Sequence, residues 1–423
     1  MNILEDLKYR GLIYQMTDEK ELAKRLEKPI ILYCGFDPTA KSLHLGNLLQ
    51  ILILKRFQKA GHKPIAIAGG GTGLIGDPSG KVEERKLNTR EMVNKNLKGI
   101  KKQLSQILGH KIKVVNNYDW FENVNRTRFL KKEAGMSVID YLRDYGKYFS
   151  INEMLAKESV KSRLETGISF TEFNYMVLQS IDFLKLNNKE NCELQIGGSD
   201  QWGNITAGVD LIRKHDGKKV FGLTVPLITK SDGSKFGKTE SGTIWLDSSI
   251  TSPYEFYQFW INSSDKEVVK LIKYFTFLSH KEIDKLEQEV KNTPEKRIAQ
   301  KTLAQKVTKL VHGKKELKKV QRISEILFKG EIKKLNEKEI EVAFSGAPVF
   351  KNDSQERFLV DLLTESGVCE SKRQAREDIE KGAVYLNGQR TNELEKVIKK
   401  SEFLFNKYLL IRRGKKNYTL IKW

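Results

Sequence analysis

Apolar positions along the first two hundred residues follow two rhythms. Residues 30–34 (IILYC) are an unbroken apolar run of strand length. GFDPTAKSLHLGN turns out of that run, and LLQILILKRFQKAG (48–61) follows with apolar residues at helical spacing, its first turn beginning near Leu45. KPIAIAGGGTG reads as a strand running into glycines, KIKVVNN (111–117) as another and NCELQIGG (191–198) as a further one, with helical segments between. Strand, turn, helix and strand in this order predict a parallel sheet with crossover helices. Residues 1–225 are therefore expected to form an α/β domain of the size that binds a nucleotide.

The rhythm lapses after Pro226 into a polar loop over 229–243. Helical spacing resumes at SPYEFYQFWINSSDKEVVKLIKYFTFLS, where Ser252-Pro253 is a good helix start, and continues to about residue 325. Residues 301–340 hold twelve Lys or Arg against five Asp or Glu, a basic helical segment passing into a linker expected at 326–345. The last portion (346–423) changes character. QERFLVDLLTESG reads as an amphipathic helix closed by glycine, and SKRQAREDIEKG as a second, with a serine N-cap and Gly382 at its end. AVYLNGQ is a short strand with an Asn-Gly turn, and YLLIRRGKKNYTLIKW flanks a basic turn with apolar runs. This predicts a small α+β module. Lys372, Arg373 and Arg376 lie on or near one helix face, and Arg412, Arg413, Lys415 and Lys416 in the final hairpin-like segment.

The 423 residues carry a formal net charge of +21, which favours polyanions without choosing among nucleic acid, nucleotide and anionic membrane. Cys34, Cys192 and Cys369 are far apart and form no CxxC pair, against a disulfide scaffold or a zinc knuckle. MNILEDLKYRGLIYQ lacks the apolar core of a signal peptide, and no apolar run approaches a membrane span. A soluble, cytoplasmic protein without a membrane partner is expected.

Four segments bear chemistry. In DPTAKSLHLGN, His44 and Gly46 stand at a helix start, whose free N–H groups and positive end favour phosphate. AGGGTGLIGDPSGK (68–81) packs six glycines into a short span, which suggests close backbone approach to a ligand; it lacks the P-loop spacing. Asp77 there suits an ammonium group, and Lys81 and Arg85 stand nearby. In FTEFNYMVLQSIDF, Tyr175, Gln179 and Asp182 share a helical face and need polar partners if buried. LQIGGSDQWGN ends a strand in Gly-Gly before Ser199, Asp200 and Gln201, and ligands bind at such carboxyl ends. KFGKT (235–239) then sets Lys235 and Lys238 on a glycine-jointed loop able to close over a polyphosphate. No acidic cluster suggests an all-protein metal cage, and no Ser-His-Asp or Cys-His order recommends covalent catalysis.

Together, YCGFDPTAKSLHLGN, GLIGDPSGK, FTEFNYMVLQSIDF, LQIGGSDQWGNITAG, FGLTVPLITKSDGSKFGKT and SPYEFYQFWIN resemble the class I aminoacyl-tRNA synthetases, in their bacterial tyrosine-specific branch. SKRQAREDIEKGAVYLNG resembles the S4-type RNA-binding domain. The resemblance implies a Rossmann-like catalytic domain at 1–225, a mobile loop region at 226–246, a helical anticodon-recognition domain at 247–325, the linker, and an S4-like domain at 346–423. It implies activation of L-tyrosine by ATP with Mg²⁺, then transfer to tRNA(Tyr), by a homodimer without a tightly bound prosthetic group. Tyr33 and Asp182 are expected to hold the phenol, Asp77, Tyr175 and Gln179 the ammonium group, and Gln201 the carboxylate. Gly35, Asp37, Gly46, Gly198 and Asp200 would shape the adenylate site, with Cys34 near the ribose. Thr39 and His44 would meet the γ-phosphate side of ATP; Lys235, Lys238 and Thr239 would close on pyrophosphate, assisted by Lys81 and Arg85.

Two motifs depart from the family pattern. HIGH appears as His44-Leu45-Gly46-Asn47, where Asn47 still offers a hydrogen-bond donor, and KMSKS appears as KFGKT with both lysines kept. Gln50 has no evident contact. The competing expectations are an RNA-binding protein with an inert nucleotide domain, and a related acyl-adenylate-forming synthetase of other amino-acid specificity.

Overall fold

The computed structural model describes residues 2–80, 84, 86–122, 136–229, 236–239, 242–353, 356–414 and 417–423. Lys81, Arg85, Lys235, Lys415 and Lys416 lie outside them, as do the side chains of Lys238 and Thr239. Two compact units result, Met1–Asp247 with Ser263–Ala299, and Ser248–Asn262 with Gln300–Trp423.

The first unit is built on six strands: β1 (Gln15–Met16), β2 (Ile31–Phe36), β3 (Lys63–Ala68), β4 (Lys113–Asn116), β5 (Cys192–Gly198) and β6 (Phe221–Val225). Their order is β1-β6-β5-β2-β3-β4, parallel throughout except for β1 against β6. The chain lays β3 and β4 on one side of β2 and returns to lay β5 and β6 on the other. The crevice at the carboxyl ends of β2 and β5 is therefore the topological switch point, where open α/β sheets bind ligands. Register places Tyr33 beside Ile65 on one neighbour and Gln195 on the other. Four long helices cover this sheet or flank it: α1 (Leu45–Lys59), α2 (Arg90–Leu108), α3 (Tyr175–Glu190) and α4 (Trp202–Asp216). The interior of α1 is apolar almost all round, with Leu48, Ile51, Leu52, Ile53 and Leu54 buried, because it lies between the sheet and further helices.

The contacts part the helices expected as one domain at 247–325. Asp265–Phe275 and His280–Asn292 belong to the first unit, and Pro253–Ile261 and most of Ile298–Lys329 to the second. An amphipathic helix goes where its apolar stripe is covered: Val268, Leu271, Ile272 and Phe275 are buried in the first unit, Phe256 and Trp260 in the second. Ile298–Lys329 is two helices joined at Gly313, whose φ of 86° no helix contains.

The stretch 326–345 is no open tether. Ile332, Leu335, Ile340 and Phe344 are buried with Ile323, Ile326, Tyr408, Leu410 and Leu420 in one cluster. The module behind it is a five-stranded sheet with strands 389–390, 384–386, 408–413, 417–422 and 349–351 in that order. Helices Leu359–Glu365 and Lys372–Glu380 pack on it around Leu363, Ala375 and Ile379. Among the described residues no helix is long and apolar enough to cross a membrane.

Candidate active site

A cleft of about 630 Å³ opens at the switch point, and every residue lining it belongs to the first unit. β2 delivers Tyr33, Cys34 and Gly35 to it, and the turn after β2 delivers Asp37 and Thr39. His44 is the N-cap of α1: its Nδ1 accepts from Gly46 N–H at 3.0 Å, and Asn47 Oδ1 accepts from His44 N–H at 3.1 Å. Asn47 thus closes a capping box, a physical use for the residue that departs from the family motif. Because Nδ1 is an acceptor, the proton of neutral His44 sits on Nε2. The ring opens to the cleft, yet the surrounding protein desolvates it and holds its pKa below the ordinary imidazole value. A side chain at position 46 would press on His44, since a Cβ there would stand 2.8 Å from Cε1.

The glycine loop serves a different purpose from the one expected. Added Cβ atoms at Gly69, Gly70, Gly71 and Gly73 would collide with Asp37, Asn116, Phe121 and Pro38, so these glycines make room for protein atoms rather than for a ligand. Their reward is the placement of Asp37, whose Oδ1 accepts from Thr72 Oγ1 at 2.7 Å and Oδ2 from the Tyr175 hydroxyl at 2.7 Å. Gly80, with φ of 69°, does reach the cleft, beside Asp200.

The deep end is a buried polar floor. Asp182, on α3, is 3% exposed. Its Oδ2 accepts from Asn117 Nδ2 at 3.0 Å and its Oδ1 from Trp120 Nε1 at 2.9 Å. Burial still pushes its pKa up to about 8, against the pull of those two donors. Tyr33, 1% exposed, packs tilted against Phe183 with ring centroids 5.3 Å apart. Its hydroxyl is buried without a hydrogen-bond partner among the described residues, and burial raises its pKa. Buried polar groups are normally paired, so an orphan hydroxyl aimed at a cleft calls for a ligand group.

Higher on the wall, Asp77 Oδ2 accepts from Gln201 Nε2 at 2.6 Å, and Asn204 Nδ2 donates to Gln179 Oε1 at 3.1 Å. Asp77, Gln179 and Gln201, read from three separate motifs, are thereby joined through one network. Asp200 follows β5; burial first, and the Asp77 charge second, raise its pKa to about 6. Gly198 lets it and Gln50 approach, with an added Cβ 3.4 Å from Gln50 Nε2. Cys34 is buried and its thiol is pushed up to about 12, which leaves it a wall rather than a nucleophile.

On the opposite lip, Lys238–Thr239 pairs antiparallel with Gly242–Thr243, and Gly237 takes φ of 84°. This arm is joined to the start of α1: Leu45 N–H donates to Ile244 O at 3.3 Å and Leu246 N–H to Leu43 O at 2.8 Å. His44 faces Trp245 edge-on at 6.1 Å. The HLGN and KFGKT segments are thus neighbours in one backbone ladder. Lys235, Lys81 and Arg85 were expected here and lie outside the described residues, as do the side chains of Lys238 and Thr239.

Asn117, Trp120, Thr72 and Asn204 escaped the sequence reading. The sequence carries a signal for the first: KIKVVNN has the pattern of a strand, and Asn117 stands at its carboxyl end. In the second unit, Arg373 and Arg376 are exposed on Lys372–Glu380, whereas Lys372 pairs with Asp361 at 2.7 Å and Arg413 with Asp378 at 2.8 Å. Arg412 lies over the Tyr385 ring at 3.7 Å. Among the described residues no group of three or more His, Cys, Asp or Glu could hold a metal ion.

Residues 24–329 match the family of tRNA synthetases class I (W and Y), and residues 339–421 the tyrosine–tRNA ligase SYY-like C-terminal domain. The chain is 56% identical over 430 aligned positions to a tyrosine–tRNA ligase of Bacillus caldotenax, covering 100% of both chains. It is equally similar, at 56% with the same coverage, to that of Geobacillus stearothermophilus. A C-terminally truncated mitochondrial tyrosyl-tRNA synthetase of Aspergillus nidulans superposes with a TM-score of 0.67 at 32% identity, covering 77% of this chain and 94% of that one.

Proposed function

This chain belongs to the class I tRNA synthetases, in the tyrosine-specific branch, and from that premise we propose how its cleft performs the ATP-dependent ligation of tyrosine to tRNA. The orphan Tyr33 hydroxyl beside buried Asp182 carries the reading, because a phenol entering the apolar end of the cleft completes the hydrogen bonding of both. Asp77, Tyr175 and Gln179 take the ammonium group, and Gln201 orients the carboxylate. The tyrosine carboxylate attacks the α-phosphorus of ATP, and the bond to the bridging oxygen of pyrophosphate breaks. Gly35, Asp37, Gly46, Gly198 and Asp200 shape the adenylate site, with Cys34 at its wall. Thr39 and the Nε2–H of His44 meet charge developing on the phosphates at the positive end of α1, whose capping box Asn47 closes. Lys235, Lys238 and Thr239, with Lys81 and Arg85, stabilise departing pyrophosphate. Mg²⁺ would belong to the ATP substrate rather than to a protein cage, and would supply charge neutralisation on its phosphates. The tRNA terminus then takes the tyrosyl group, releasing AMP.

The helices within 247–325 and the S4-like module, through Lys372, Arg373, Arg376, Arg412 and Arg413, hold tRNA(Tyr). The active form is a homodimer. Val138, Ile139, Leu142 and Phe170, all more than half exposed, supply apolar surface for it. Three buried free cysteines suit a reducing, cytoplasmic setting. The test is tyrosine-dependent ATP–pyrophosphate exchange. We expect robust exchange in the wild type and a fall of about 100-fold in Lys235→Ala, the scale of one lost transition-state contact. An unchanged rate in that variant overturns the assignment of the loop.

A further inference from the structure

The phenylalanine that stands in the KFGKT loop where the family pattern has methionine is stacked on a second ring. Phe236 and Phe275 lie 5.7 Å apart between centroids with 21° between their planes. Phe275 ends the helix Asp265–Phe275 and is fully buried, whereas Phe236 is half-buried and lines the cleft beside Gly237. Phe275 is itself held against α1. Arg56, near the end of α1, donates to Thr276 O at 2.5 Å and to Lys273 O at 3.2 Å, and Arg10 donates to Leu278 O at 2.6 Å. The Lys273 and Thr276 carbonyls stand at the end of that helix and have no partner within it, and Leu278 O lies in the connection that follows. The same α1 carries His44 at its other end. One rigid rod therefore locates both the histidine cap and the ring on which the loop rests.

We propose that Phe275 is a positioning residue for adenylate formation, seating the Lys238–Thr239 strand beside the start of α1 through its stack on Phe236. The proposal rests on the reading that this strand acts on pyrophosphate. Phe275 touches no reactant: it fixes where the strand begins, and Gly237 O, which accepts from Ile244 N–H at 2.8 Å, carries that position into the ladder along Leu43 and Leu45. An offset aromatic pair contributes beyond its buried area and restricts the orientation of both rings.

Pyrophosphate exchange, with tyrosine affinity measured separately by equilibrium dialysis, tests this in Phe236→Ala, Phe236→Met, Phe275→Leu, the double Phe236→Ala/Phe275→Leu, and Lys238→Ala. Phe236→Ala and Phe275→Leu should each slow exchange by about 2- to 12-fold, the range a lost ring pair spans. Tyrosine affinity should stay within about 2-fold, and the double variant should be no slower than the slower single one, because both remove the same contact. Phe236→Met, whose thioether also packs on a ring, should recover most of the rate. Phe236 is only half-buried, so its variants report even if Phe275→Leu folds poorly. Wild-type exchange in Phe236→Ala, multiplying losses in the double variant, a parallel loss of tyrosine affinity, or Phe236→Met as slow as Phe236→Ala would overturn the proposal. If Lys238→Ala is also at wild-type rate, the reading of the strand falls with it; if Lys238→Ala alone is slow, only the proposal falls.

Discussion

Trp120 donates its indole Nε1–H to Asp182 Oδ1 at 2.9 Å, so the buried carboxylate takes part of its solvation from the short helix Tyr118–Phe121 after β4 rather than from water. Burial nonetheless raises its pKa to about 8, and the Trp120 and Asn117 donors pull the other way. The ionised form accepts the substrate's phenol, so kcat/KM for tyrosine in exchange is expected to climb between about pH 7 and about pH 9, through that pKa of about 8. Trp120→Phe removes a donor to the charged form and should move that climb up by about one unit. Stability has the opposite sign. With the folded pKa raised from 3.8 to about 8, the contribution is fully present below the unfolded value and is lost as pH rises through the folded one. Asp182→Asn should flatten the fall of the thermal midpoint across that window; a fall of undiminished slope would assign it to other groups.

Tyr33→Phe separates stability from function. The hydroxyl has no partner among the described residues, and a buried unmade hydrogen bond costs about 1–3 kcal/mol. The variant should therefore unfold at the same or a higher denaturant midpoint than the wild type. Its KM for tyrosine should rise about 5- to 10-fold, and its preference over phenylalanine should shrink. Tyrosine-specific synthetases are the standard example of such preference, about 10⁵-fold, because the analogue leaves buried polar groups unpaired. A destabilised Tyr33→Phe enzyme would mean that the hydroxyl is satisfied in the free state.

Phe170 is 77% exposed at the start of the helix Phe170–Phe173, just before Tyr175. Its neighbours in sequence are anchored from beneath by the Arg163–Glu172 ion pair at 3.1 Å, whose side chains are 3% and 2% exposed. A large ring held outward on a braced segment suits burial against a second copy. On the proposed homodimer, Phe170→Asp should shift sedimentation from dimer to monomer at micromolar concentration while leaving the circular dichroism unchanged. A variant that remains dimeric would move the interface elsewhere.

The parallel sheet was legible because β2, β3, β4 and β5 are short apolar runs bounded by turn residues. β6 and β1 were not. FGLTV is five residues buried on both faces and closed by Pro226, with no alternation to mark it, and β1 is two residues long, paired only through tertiary contact. The site was legible where a motif concentrates polar groups, as at Tyr175, Gln179 and Asp182. Asn117 and Trp120 were hidden because their chemistry lies in what they donate to, and Asp182 is 65 and 62 positions away. The glycines at 69–73 misled for a related reason: a glycine reports crowding, but not whether the crowding atom is ligand or protein. The helices after residue 247 were found, but their division between two units depends on which apolar stripe meets which, and sequence order does not carry that.

Shortening the chain separates its two tasks, and the structure says where the cut matters. All residues lining the cleft lie in the first unit, so a chain ending at residue 340 should keep tyrosine-dependent exchange within about 2-fold of wild type. Charging of tRNA(Tyr) should fall by more than about 100-fold as its basic contacts are lost. The cut also strips Tyr408, Leu410 and Leu420 from Ile323, Ile326, Ile332, Leu335 and Ile340. Each bared side chain forfeits about 1.5–3 kcal/mol of burial, so the shortened chain should aggregate on warming well before the full one. A full-length partner experiment avoids that cost. Arg373 and Arg376 are exposed and outside the module's core, so Arg373→Ala/Arg376→Ala should fold normally and exchange normally. Its KM for tRNA(Tyr) should rise by about 10-fold, and the slope of log affinity against log salt should fall by about two, one per phosphate contact removed. An unchanged salt slope would show that neither arginine meets a phosphate, and would move the RNA-facing side of the module away from this helix.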